Sequence, residues 1–264
     1  MRKFSLGFAL LLGVGACSDN PPQTSAASTA PAAQSAAPTT PNSIHVRTLK
    51  ASQILDPTLL PPGKLLEARQ WQDRNGENLL VITRRGPFDE KITEYTDEES
   101  GVELFARQYV RQAAGRWQEL WHMQDAIRNC AFDMWLGPLP GSTSVTDLNA
   151  DGETETTLVY QLTCRSDVSP SDLKLIMHAG RKKYALRGQT VVQYDSVTVA
   201  QRAPANPCCV DTLSKAELDA PEGYTLYAGR YQNEKDFRGA PPELLRYARQ
   251  QWRKWSLEDH GEQL

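Results

Sequence analysis

The chain has 264 residues, with 29 Lys and Arg against 32 Asp and Glu, a formal net charge of −3 and an isoelectric point near 5.9. That balance leaves no basic excess to neutralise phosphates, so a nucleic-acid partner is not expected, and pairs such as Arg84-Arg85 and Lys182-Lys183 read as solvated faces. The length suits one domain, or at most two small ones.

At the N-terminus, Arg2 and Lys3 precede an uncharged apolar stretch from Phe4 to Leu12, and Val14-Gly15-Ala16-Cys17 follows. A membrane span needs about 20 apolar residues, so this shorter stretch reads as an export signal over 1–16. Small residues ending in a cysteine resemble the bacterial lipobox, whose cysteine is acylated. The resemblance implies a lipid anchor on Cys17 and so a membrane partner. Ser18, where an Asp would retain the protein, implies an outer-membrane position facing the periplasm. The alternative is a plain signal peptide with a chance cysteine. From Pro21 to Asn42 only Ala, Ser, Thr, Pro, Gln and Asn occur. Such a stretch cannot bury apolar surface, which predicts a disordered tether over 17–43 and a single β-rich domain over 44–264.

The domain reads mainly as β-hairpins. Lys64–Asp73 and Asn78–Thr83 flank Asn75-Gly76, a strong hairpin signal because both residue types tolerate positive φ. Val102 to Arg111 alternates. After Gly115, Trp117, Glu119, Trp121 and Met123 continue on one face; a helix also fits this stretch, and the glycine favours strands. Thr156, Leu158, Tyr160 and Leu162 share one face of a further strand. Leu173, Leu175 and Met177 share one face of the next, and Tyr184 and Leu186 return after Ala179-Gly180. Beyond Asp195 the pattern gives way to Pro- and Gly-rich loops. A closing amphipathic helix is predicted over 241–257: Pro241 and Pro242 suit a first turn, and Leu245, Ala248, Trp252 and Trp255 form one stripe. Those tryptophans are expected to pack on the sheet rather than stack on a sugar. The fold class predicted is thus mainly β, an antiparallel meander of hairpins with a C-terminal amphipathic helix.

Four cysteines follow Cys17: Cys130, Cys164, Cys208 and Cys209. In an oxidising compartment an even count reads as two disulfides. Cys130–Cys164 with an adjacent Cys208–Cys209 pair is favoured. The rival has each member of the adjacent pair reaching back to one distant partner.

One segment carries the residue types of a metal site. Asp147-Leu148-Asn149-Ala150-Asp151-Gly152-Glu153-Thr154-Glu155 places acids at alternate positions around a glycine bend. Ca²⁺ takes six to eight oxygens at about 2.3–2.6 Å, and a short loop must curl to supply them. An EF-hand would need a bidentate acid at the twelfth place, which is Leu158. The D-x-N-x-D-G-x-x-E arrangement instead resembles the calcium loops between strands of integrin-type propeller blades. That resemblance implies ligands from Asp147, Asn149, Asp151, the Glu153 carbonyl and Glu155, with Glu155 departing from the usual aspartate. The competing reading is an Asp-Gly turn with solvated acids. His45, His122, His178 and His260 show no zinc spacing, and no G-x-S-x-G or P-loop motif occurs. Asp133 beside Trp135 is the best remaining acid in an aromatic setting, and no catalytic residue is assigned.

From Cys130 to Gly188 the chain resembles a bacterial family of surface polysaccharide biosynthesis proteins. The resemblance rests on Thr146 to Gly152 with Glu155, Tyr160, Cys164, Ser169-Pro170, Leu173 to Met177 and Lys183 to Gly188. Ala240-Pro241, Tyr247-Ala248 and Trp252 continue it. It implies a link to surface polysaccharide and no particular reaction. The expected function is a non-enzymatic accessory or glycan-binding lipoprotein, with Ca²⁺ as the candidate cofactor and surface polysaccharide or an envelope protein as partner. The rivals are a polysaccharide-modifying hydrolase and a structural lipoprotein that binds another envelope protein.

Overall fold

The computed structural model describes residues 44–90, 99–113, 115–192 and 198–258. The predicted export signal over 1–16, Cys17 and the predicted tether over 17–43 lie outside the described residues, as does His260.

An apolar run buried on one side only gives an alternating strand; one buried on both sides gives a continuous run. Both kinds occur here. The first sheet is an antiparallel meander of β1 (Arg47–Thr48), β2 (Lys64–Asp73), β3 (Gly76–Glu90), β4 (Glu99–Arg111) and β5 (Gln118–Cys130), in that spatial order. The second contains β6 (Asp133–Pro138), β7 (Ser144–Thr146), β8 (Glu155–Arg165), β9 (Asp172–Ala179) and β10 (Lys182–Gln189). Its order is β10-β9-β8-β6, with β7 also on β8. A short parallel pair joins β11 (Val191–Val192), just after β10, to β12 (Leu257–Glu258), just after the C-terminal helix Pro242–Trp255. The molecule is mainly β, antiparallel, with a C-terminal helix. Among the described residues, no helix is long and apolar enough to cross a membrane.

Three apolar layers separate four structural ones. Leu80, Ile82, Val102, Leu104 and Ala106 of the first sheet meet Leu158, Tyr160, Ile176 and Ala185 of the second. On the far side of the second sheet, Val159, Leu173, Leu175, Met177, Tyr184 and Leu186 pack on Leu244, Ala248 and Trp252 of the helix. On the far side of the first, Leu79, Val81 and Tyr109 are covered by Leu49, Ile54 and Leu59. The segment Leu79-Leu80-Val81-Ile82 is apolar without interruption because both its faces are covered.

The sheets are joined at both ends. At one, Cys130 at the close of β5 is disulfide-bonded to Cys164 of β8, with Cα atoms 5.9 Å apart. At the other, the Trp71 indole N–H donates to Thr154 Oγ1 (2.8 Å), and Thr154 donates to Asp73 from its hydroxyl (2.7 Å) and backbone (3.1 Å). Beside it the Trp121 N–H and the Thr156 hydroxyl both donate to Gln108 Oε1 (2.8 and 3.1 Å), while Gln108 Nε2 donates to Asn78. Buried polar groups demand partners, so this seam fixes which side chain of one sheet meets which of the other.

Several boundaries differ from the sequence reading. The tip of the first hairpin is Arg74-Asn75, and Gly76 begins the returning strand at φ +125°. A Cβ there would lie 2.5 Å from the Arg111 carbonyl oxygen, so glycine is required by both torsion and space. β3 runs on to Glu90 rather than ending at Thr83, through a register shift between Arg85 and Phe88. Trp121, Met123 and Ile127 are buried alternately on β5, a strand and not a helix. The closing helix ends at Trp255 instead of 257, because Leu257–Glu258 pair with Val191–Val192. The Glu258 carboxylate there takes Arg165 Nη2 (2.6 Å) and the Thr190 hydroxyl (2.6 Å). The fully buried stripe is Leu244, Ala248 and Trp252; Leu245 and Trp255 flank it, partly buried.

Residues 229–233 extend the second sheet. The Gln189 N–H donates to Arg230 O (3.1 Å) and the Gln232 N–H to Arg187 O (2.7 Å); Val210 and Asp211 pair onto Tyr231 and Gln232 beyond. A Cβ on Gly188 would fall 1.9 Å from the Arg230 oxygen, so only glycine lets this segment reach β10.

Trp252 is wholly buried, its indole N–H donating to Gly229 O (2.9 Å) and its ring edge-on to Tyr231 at 5.2 Å. Trp252→Ala should lower unfolding free energy by about 3–5 kcal/mol, read from the shift of a denaturant melt. His178 is 3% exposed and stacks on Trp121 (3.9 Å, 9° between rings), with no partner for Nδ1 among the described residues. Burial first, and the Lys183 charge second, push its pKa down to about 3. An unfolded histidine takes a proton near pH 6.5, so the unfolded state binds more protons between pH 6.5 and 3. Stability is therefore full above pH 6.5 and falls below it by up to about 1.4 kcal/mol per pH unit. His178→Phe should flatten that slope in melts taken from pH 7 to pH 4.5.

Candidate functional site

The acidic loop joins β7 to β8, and its curl follows from its own side chains. Asp147 accepts the backbone N–H groups of Asp151 (3.1 Å) and Gly152 (3.0 Å), and Asp151 accepts that of Glu153 (2.8 Å). Ala150 at φ +56° and Gly152 at φ +83° supply the left-handed steps. Asn149 bridges inward, its Oδ1 accepting the Asp151 N–H (3.2 Å) and its Nδ2 donating to Asp151 Oδ2 (2.7 Å). Glu155 is buried at the start of β8 and accepts Leu148 N–H (2.9 Å) and the Thr146 hydroxyl (3.3 Å).

A contact from the first hairpin is added that the local sequence does not reveal. The Arg74 backbone N–H donates to Gly152 O (2.8 Å), and its guanidinium pairs with Glu153 (2.7 Å). That pair holds the Glu153 carboxyl below its ordinary range. The five predicted ligand residues thus share one loop, but their oxygens are engaged by backbone donors, by Asn149 and by Arg74. Among the described residues, the carboxylates of Asp147, Asp151 and Glu155 do not draw together as a set within 4.8 Å. The one group that does is Cys208, Cys209 and Glu234. Those two cysteines are disulfide-bonded to each other, so no thiolate is offered there. Asp133 lies on the edge strand β6, paired with Arg165 across the ladder, and Trp135 lies under the Arg84 guanidinium at 4.5 Å.

A second concave site was not foreseen from the sequence. Ladder register places Tyr160, Lys174 and Arg187 in one row across β8, β9 and β10, and Leu162, Asp172 and Gln189 in the next. These rows are on the side that faces the first sheet. At Tyr160 and Lys174 that sheet reaches them through Asp125 of β5, whose carboxylate accepts the Tyr160 hydroxyl (2.8 Å) and Lys174 Nζ (2.5 Å). Asp172, Lys174, Arg187 and Gln189 therefore remain the floor of a cleft of about 450 Å³. Its far wall is Tyr227, Arg230, Gln232 and Asn233. The volume is that of a small-molecule site, with several polar groups converging on it.

The polar groups of the cleft are unequally committed. Lys174 is tied to Asp125, and Arg187 to Asp236 at 3.0 Å. Arg230 donates to the Asn206 carbonyl (2.7 Å) and makes no ion pair among the described residues. The Asp172 side chain has no hydrogen bond or ion pair among them. Thinned hydration against the cleft wall raises its carboxyl above the usual range; Lys174 opposes that and Asp125 adds to it. The only sequence signal of this site was a polar residue at alternate places, Asp172-x-Lys174 and Arg187-x-Gln189, opposite an apolar face.

Burial raises the Glu155 carboxyl above its ordinary range, with Asp147 adding to it against the Leu148 hydrogen bond. A carboxyl raised on folding stabilises the fold at low pH, and that contribution is lost as pH rises through its folded pKa. Glu155→Gln keeps the acceptor without the charge. In EDTA it should melt higher than the parent at pH 7, by on the order of 1 kcal/mol. The gap should close near pH 4.

No protein-family model, curated protein or solved structure matches the chain.

Proposed function

We propose that this chain is a lipid-anchored envelope protein whose β domain binds surface glycan in the cleft of the second sheet, without catalysing a reaction. The cleft carries the reading: Asp172 and Gln189 make no side-chain hydrogen bond among the described residues and can meet a ligand in a sugar-sized volume, with Tyr227 on one wall and Gln232 and Asn233, both donating to Asp211, on the same side. The export-signal pattern, Cys17 and the Ala/Ser/Thr/Pro stretch support a position at the outer membrane, facing the periplasm, and the resemblance to surface polysaccharide biosynthesis proteins suggests the partner class. Binding is favoured over hydrolysis because Asp125, the acid whose charge acts on Asp172, is already held by Tyr160 and Lys174.

Calcium at Asp147, Asn149, Asp151, the Glu153 carbonyl and Glu155 is a second reading, motivated by the D-x-N-x-D-G-x-x-E resemblance and by the curl that brings these residues into one loop; an ion there would have to compete with the backbone N–H groups that both Asp147 oxygens accept. An ion there would stiffen the loop and need not touch the glycan. The full-length chain in detergent should bind its host's extracted surface polysaccharide, and Gln232→Trp, which fills the cleft, should weaken binding by about tenfold. Unchanged affinity in that variant, or no binding by the parent, rejects the cleft. Repeating the titration and a thermal melt in calcium and in EDTA tests the loop. A melt raised by calcium and insensitive to it after Asp151→Ala supports the ion, and identical melts reject it.

A further inference from the structure

We propose that the cleft selects a carboxylated sugar, a uronate-type residue of an acidic glycan, over neutral sugars and over bare inorganic anions. This rests on the glycan reading above and names its ligand class.

The overall charge is −3, yet three cations, Lys174, Arg187 and Arg230, line this one cleft. Two of them are matched by carboxylates. The third, Arg230, is held by a backbone carbonyl and makes no ion pair among the described residues, so its guanidinium fork is not committed to a carboxylate. Lys183 belongs to the same face of β10 as Arg187. Lost hydration first, then the Arg187 charge, hold it below the usual lysine range, against the opposing charges of Asp125 and Asp236. A guanidinium offers a planar fork that matches a carboxylate with two parallel hydrogen bonds.

Asp172 narrows the ligand further. Its unpartnered carboxylate shares the floor with those cations, and it would repel a multiply charged phosphate or sulfate. It needs donors, which sugar hydroxyls supply; the Gln189 amide can both donate and accept, and Gln232, whose Nε2 donates to Asp211, keeps its Oε1 as an acceptor. A volume of about 450 Å³ exceeds what an inorganic anion fills and suits a sugar ring with part of its neighbour. One carboxylate amid many hydroxyls is the pattern that meets Arg230 and Asp172 together.

The test is a calorimetric titration of the full-length chain in detergent with trigalacturonate, with the neutral galactose trisaccharide and with inorganic phosphate. The acid should bind about tenfold tighter than the neutral sugar, and less so as salt rises. Arg230→Gln should erase that difference by weakening the acid alone, and Asp172→Asn should weaken both trisaccharides. Arg253→Gln on the exposed helix face should change neither. If Arg230→Gln lowers the melt, Arg230→Lys, which keeps the charge and loses the fork, should still give a partial loss of the acid's advantage. Equal affinity for the two trisaccharides overturns the charge selectivity while leaving glycan binding intact. Phosphate displacing the acid at similar concentration makes the cleft a simple anion site and overturns it too. Failure of both trisaccharides and of the host polysaccharide removes the glycan reading itself.

Discussion

Burial of the second sheet on both faces is the constraint from which the rest follows. Leu158, Tyr160, Ile176 and Ala185 are claimed by one layer and Val159, Leu173, Leu175 and Met177 by another. A slip of one residue in β8 or β9 would exchange the two sets and misfit both cores. Register must therefore be fixed, and it is fixed at the ends: by Cys130–Cys164 at one and by the Trp71-Thr154-Asp73 and Trp121-Gln108-Thr156 contacts at the other. Hydrophobic burial supplies the larger part of the driving force and has no direction; the disulfide and the polar seam supply the direction.

The cleft is a by-product of the same layering. The second sheet, with 230–232 added to its edge, is wider than the first can cover. The inward rows of β9 and β10 turn from apolar at Ile176 and Ala185 to polar at Lys174 and Arg187, and then at Asp172 and Gln189. Where the cover stops, the side chains become those that tolerate water. A site built on strands rather than on a free loop inherits the rigidity of the core beneath it. Arg187 and Gln189 stand on a strand whose neighbours Leu186 and Tyr184 are buried in the next layer.

What the sequence revealed and what it hid divide along chain separation. The β2–β3 hairpin, the alternation of Trp121 and Met123, and the helix of Ala248 and Trp252 are local patterns, and all were legible. The shift of the hairpin tip to Arg74-Asn75 was not, since Gly76 is demanded partly by the Arg111 carbonyl on another strand. The acidic loop was legible as a curl, because Asp147, Asn149 and Gly152 act on their own neighbours. Its occupation by Arg74 was not, because that residue lies far back along the chain. β6 and β7 were missed for want of length and alternation. The cleft was hidden most fully: its two walls come from 172–189 and 227–233, and only the absent side chain of Gly188 hints that they meet.

The clasp around Glu258 has a consequence for a chain that emerges N-terminus first. The meander β1 to β5 pairs each strand with its predecessor, so it can assemble as it appears. The second sheet has no lower cover until Tyr231, Leu244, Ala248 and Trp252 arrive. The polar cluster of Arg165, Ser171 and Thr190 is not closed until Glu258, the last described residue, is in place. Until then β9 and β10 would present bare apolar surface, the state most open to misassociation. Emergence of the segment from Tyr231 to Glu258, rather than formation of the first hairpins, is thus the event that commits this domain to its final form.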